Sequence, residues 1–113
     1  MQISDRHISF AAAPNTNVAS ALTAAVAQVK QSKGTASLRI QTGDVSQLSC
    51  AAQFDTAEQI IKGAVLDIHY LPGEHNVLVD DGKAFSEHFT KGAVQGYYSF
   101  DKQGMHFIGL NNV

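Results

Sequence analysis

Residues 18–32 and 53–62 carry apolar side chains at helical spacing, and each lies between short runs that read as strands. This alternation limits the available folds more than any other feature of the chain. A strand-like stub at 1–4 precedes a loop at 11–16 (AAAPNT), where Pro14 and Asn15 supply turn signals. Thr16 or Asn17 can cap the first helix, whose Val18, Leu22, Ala25, Val26 and Val29 share one face, and Gly34 is placed to end it. Residues 36–42 alternate as a strand (Ala36, Leu38 and Ile40 on one side) until Gly43. Phe54, Ala57, Ile60 and Ile61 form the apolar face of the second helix, with Gly63 as its stop. A third strand over 64–71 ends at Pro72-Gly73. Within 77–96 a short helix is expected near 83–89, and the runs YYSF and MHFIGL about DKQG predict a hairpin between Tyr97 and Leu110. Strand–helix alternation needs crossover connections. The expected fold is therefore α/β: a mixed, mostly parallel sheet with flanking helices and a C-terminal β-hairpin.

In such sheets ligands gather beyond the carboxyl ends of the strands, and that is where the chemistry-bearing residues fall. Asp5-Arg6-His7 follows the first strand; residues two apart on an extended chain point the same way, so a carboxylate and an imidazole can face one cation. Thr42-Gly43-Asp44 follows the second, the glycine permitting a sharp turn that presents the carboxylate. Gly73-Glu74-His75-Asn76 follows the third. Singly, these are turn and cap residues as readily as ligands. Jointly, they supply the oxygen and nitrogen donors that divalent metals take.

Composition excludes several other functions. A net charge of −2, with eight scattered basic residues, gives no footprint for nucleic acid or an anionic membrane. Hydrophobic residues make up 44% and charged residues 16% of 113 positions, enough apolar matter for one folded domain. Cys50 is the single cysteine, so internal disulfides and cysteine zinc sites are out, and beside Ala51 and Ala52 it reads as buried filler. The start carries no apolar signal region, so the chain as written is expected to be cytoplasmic, unless an upstream targeting segment precedes it.

The order D-x-H, then G-D, then G-E-H-N, each after a strand, resembles the opening of the calcineurin-like metallophosphoesterase signature, and the tail GYYSFDKQGMHFIGLNNV resembles that family's hairpin. The resemblance implies a partial metallophosphoesterase domain over 1–113, one half of a two-sheet sandwich, holding the first half of a site for two divalent ions (manganese, iron or zinc). By the same resemblance Asp5 and His7 bind the first metal, Asp44 bridges both, Glu74 takes a position usually held by an asparagine ligand, His75 is the catalytic histidine, and Asn76 stands where an aspartate commonly supports it. The family completes its site with later histidines, including a Gly-His-x-His element that this sequence does not show. Arg6, a cation between two ligands, is expected to point outward. His69 and His106 read as packed or edge-facing residues, and His88 as a solvated residue at a helix end.

The implied function is metal-dependent phosphoester hydrolysis with a phosphoester substrate, no nucleic acid and no membrane. Its alternative is a non-catalytic module that binds a metal weakly or a protein partner. A half-sandwich also implies an exposed apolar face through which the chain could self-associate.

Overall fold

The computed structural model describes residues 1–32, 36–63, 67–91 and 97–113. Three short strands, β1 (Gln2–Ser4), β2 (Ile40–Thr42) and β3 (His69–Tyr70), form a parallel sheet in the order β1-β2-β3. Gln2 pairs with Ile40 and Ile40 with His69, so all three strands end at one edge. The crossovers are α1 (Val18–Gln31) and α2 (Ala51–Lys62), a third helix α3 (Lys83–Phe89) follows, and β4 (Tyr98–Lys102) and β5 (Met105–Gly109) close the chain. This is the α/β architecture that the alternation predicts.

Asn17 caps α1 by accepting a hydrogen bond from Ser20 N at 3.0 Å, which satisfies one of the amides that a helix start leaves unpaired. Val18, Leu22, Val26 and Val29 are buried at helical spacing, and Phe54, Ala57 and Ile61 do the same for α2. These faces meet Ile8, Val45 and Phe85 in one core. Phe54, fully buried, lies 6.1 Å from Phe85 and 5.8 Å from Phe89, both edge-on, which ties α3 to α2.

The hairpin is its own two-stranded antiparallel sheet, turned at Gln103-Gly104, both with positive φ as a two-residue hairpin turn requires. It attaches to β3 through side chains: the Tyr98 hydroxyl donates to Tyr70 O at 2.9 Å, and Phe100 stacks on His69 at 3.7 Å. Tyr97, Met105, Ile108 and Leu110 remain exposed on the hairpin and its flanks. No helix among the described residues is long and apolar enough to cross a membrane.

Three expectations need correction. The second strand pairs only over Ile40–Thr42 rather than from residue 36. The α2 helix begins at Ala51, two residues before the expected start at 53, while Gly63 ends it as expected. Cys50 is exposed at the N-cap of α2, not buried. Gly34 as a helix stop and the first three residues of the expected 64–71 strand lie outside the described residues.

Candidate metal centre

The ladder between β1 and β2 continues beyond the strands. Asp5 N donates to Thr42 O (3.3 Å), His7 N to Asp44 O (2.9 Å), Ile8 N to Val45 O (3.0 Å) and Gln47 N to Ile8 O (3.1 Å). The two exits therefore run side by side, and His7 is held against Asp44. Along the first exit, Asp5, His7 and Ser9 have φ of 51°, 43° and 77°, while Arg6 and Ile8 between them are buried. Each left-handed non-glycine residue costs about 1–2 kcal/mol, and such outliers collect where a site needs a particular presentation of side chains.

The third exit is clamped onto the second by Asn76, which is fully buried. Its Oδ1 accepts from Val45 N and from Gly73 N, both at 3.2 Å, and its Nδ2 donates to Ser46 Oγ at 3.3 Å. Ser49 Oγ adds a bond to His75 O at 2.7 Å. Between these anchors Glu74–Asn76 make one 3-10 turn, and its amide at His75 donates to Asp44 Oδ1 at 2.8 Å.

His7, Asp44 and His75 are thereby brought together, each offering a ligand atom within 4.8 Å of the others. His7 Nε2 is 3.7 Å from Asp44 Oδ2, and the two imidazoles meet edge to face at 5.0 Å. The Asp44 side chain is 10% and that of His7 28% exposed, so the group is sheltered but open on one side. His75 Nδ1 lies 2.7 Å from Gln47 O. A carbonyl oxygen can only accept, so Nδ1 carries the hydrogen and Nε2 is left as the free ring nitrogen, the support that metal-binding histidines usually have.

Two further features fit a cation here. Among the described residues, His7 Nδ1 is buried without a hydrogen-bond partner. Two glycines make room for the carboxylates: a Cβ on Gly43 would lie 2.6 Å from Asp5 Oδ1, and one on Gly73 would overlap the Asp44 carboxylate. Asp5 is thus packed over Gly43 at the same sheet edge.

Of the residues that the sequence singles out, His7, Asp44 and His75 converge, whereas Asp5 and Glu74 stand outside that grouping and Glu74 is exposed. Asn76 supports the site through the backbone of residues 45 and 73 and through Ser46, not through the His75 ring. Arg6 corrects an expectation: it is 7% exposed, lies 6.0 Å from the Tyr70 ring, and its Nε and Nη2 find no partner among the described residues. Burial lowers its pKa to about 10, with Tyr70 acting in the opposite sense. His88 is not solvated either; it packs 5.6 Å from Phe54 and bonds Asp55. His69 is packed as expected, and His106 is exposed and paired with Asp101 at 2.8 Å. Sequence reading missed Gln47, Ser46 and Ser49, whose contributions are one carbonyl and two hydroxyls with no pattern to announce them.

No family model matches the chain, and no curated protein sequence matches it.

Proposed function

We propose that the chain is a metal-dependent phosphoester hydrolase whose cation is held by His7 and Asp44. Asp5 and Glu74 are further oxygen donors at the same sheet edge, and His75 assists at the phosphoryl group. The observation that carries this reading is the convergence of His7, Asp44 and His75 from three separate strand exits, with all three ligand atoms inside 4.8 Å. Imidazole nitrogen with carboxylate oxygen is a donor set for manganese, iron or zinc. A divalent ion held by these residues would neutralise charge on phosphoryl oxygens and lower the pKa of coordinated water, and the sequence resemblance implies a second ion for which Asp44 would also be a ligand.

The chain's own groups divide the remaining work. Asp44 Oδ1 is fixed by the His75 amide, which holds the carboxylate's orientation before any ion arrives. His75, its Nδ1 hydrogen committed to Gln47 O, has Nε2 free to bind a cation or, when protonated, to donate to a leaving oxygen. The Asn76 clamp keeps these groups from drifting apart.

A second reading, single-ion binding without catalysis, is favoured by one observation: Asp5 and Glu74 do not join the three-residue grouping. Hydrolysis of 4-nitrophenyl phosphate and its bis ester with added Mn2+ separates the two. The enzyme reading expects turnover that Asp44→Asn lowers at least a hundredfold. Mn2+ binding without turnover supports the second reading, and absence of both refutes the site.

A further inference from the structure

A second set of metal-binding groups lies between α2 and α3, apart from the strand exits. Asp55 and Glu58, three residues apart on α2, share a face with each other and meet His88 of α3, all three offering ligand atoms within 4.8 Å. His88 Nδ1 lies 2.7 Å from Ala84 O, one turn back in its own helix. That carbonyl can only accept, so Nδ1 carries the hydrogen, and Nε2 of the neutral ring is a bare lone pair. It stands 3.0 Å from Asp55 Oδ1, which is also an acceptor.

The ring cannot easily turn away. Phe54 and Phe89 lie 5.6 and 6.0 Å from it, and its side chain is only 18% exposed. With the ring neutral, three lone-pair groups converge on one point; with it protonated, Nε2 donates to Asp55 Oδ1 instead. A proton on Nε2 makes the His88–Asp55 hydrogen bond but draws Glu58 by charge alone, while Glu58 pairs with Lys62 at 2.8 Å. A divalent ion serves all three at once.

We propose that Asp55, Glu58 and His88 form a binding site for a divalent ion of the zinc class, bracing α2 against α3, with water completing the coordination. One imidazole and two carboxylates suit zinc, cobalt or nickel rather than calcium or magnesium, which prefer oxygen alone. Tetrahedral zinc with bonds of about 2.0–2.2 Å sets its ligands roughly 3.3 Å apart. The Asp55–His88 pair already stands close to that spacing, and Glu58 needs only to release Lys62. The Ala84 carbonyl behind the ring is the support that ligating histidines draw on.

The test follows Co2+ by its paramagnetic effect on the amide NMR spectrum of the intact chain. Amides near 54–59 and 85–89 are expected to broaden along one titration curve, distinct from those near 5–7, 44–47 and 73–76. Asp55→Asn and Glu58→Gln, each conservative in size, are expected to raise the midpoint of the first group at least tenfold and to leave the second group's midpoint in place. Thermal melts of both variants confirm that the fold is kept. No broadening near α2 and α3 at 1 mM Co2+ overturns the proposal. So does broadening that neither variant weakens, and in either case the contact is an imidazolium–carboxylate pair only. Because the two groups are read separately, failure here leaves the strand-exit site untouched, and the converse holds.

Discussion

Replacing Asn76 by alanine is expected to cost far more than a surface-loop substitution, and the structure gives the size. The Asn76 carboxamide oxygen is the only acceptor that Val45 N and Gly73 N have among the described residues. An unpaired buried donor costs about 1–3 kcal/mol. Two of them give roughly 2–6 kcal/mol, and the partial exposure of Gly73 admits water to one amide, which places the expected loss at about 2–4 kcal/mol. For a domain with a stability of about 5–15 kcal/mol that is a large fraction. Urea unfolding followed by circular dichroism reads it as a lower midpoint at unchanged slope. Asn76→Asp keeps an oxygen that can accept from both amides, and the Ser46 hydroxyl can turn its hydrogen toward the new carboxylate, so less than half the alanine loss is expected. The same clamp sets the spacing of Asp44 and His75, so the alanine variant is also expected to bind Mn2+ at least tenfold more weakly. A loss below 1 kcal/mol for alanine, or equal losses for the two variants, refutes the clamp.

Other expectations follow from single contacts. Gly73→Ala places a methyl in the space of the Asp44 carboxylate although its backbone is extended, so Mn2+ affinity should fall at least tenfold by calorimetry; Gly104→Ala, at φ 77° in open space, should cost about 1 kcal/mol of stability and leave affinity alone. Arg6→Met removes a buried cation whose pKa burial lowers to about 10, a penalty of about 3 kcal/mol that is fully present below that value, so denaturation should show a gain of about 1–3 kcal/mol; a loss would mean the guanidinium is stabilising. In metal-free protein, burial is the largest single influence on His88 and opposes its charge, yet the Ala84 carbonyl, Asp55 and Glu58 (itself paired with Lys62) together raise its pKa above 6.5. That stabilisation is full below pH 6.5 and is lost as pH rises through the folded value, so the melting temperature should fall across that interval and Asp55→Asn should flatten the profile.

The fold was legible because its signals are local and periodic. Val18, Leu22, Val26 and Val29 mark α1, Phe54, Ala57 and Ile61 mark α2, and the DKQG turn marks the hairpin, each recurring with the period of its element. Strand length was less legible. Residues 36–39 alternate, but β1 is only three residues long and pairs with Ile40–Thr42 alone. Parallel crossover topology brought His7, Asp44 and His75 to one edge, which residue order alone already suggested. What the sequence concealed is the support. Asn76 acts on two amides of other segments, Gln47 through its carbonyl and Ser49 through its hydroxyl, and none of these uses a side-chain pattern that spacing reveals. Arg6 was misread because strand alternation past residue 4 gives way to alternating left-handed residues, which turn it inward against Tyr70.

The claim beneath the functional reading is that three strand exits share one cation. An anomalous difference map from crystals grown with Mn2+ tests it most directly. The expected result is a peak within bonding distance of an imidazole nitrogen of His7 and a carboxylate oxygen of Asp44, with His75 beside it. A map with manganese bound elsewhere and nothing between these side chains would contradict it.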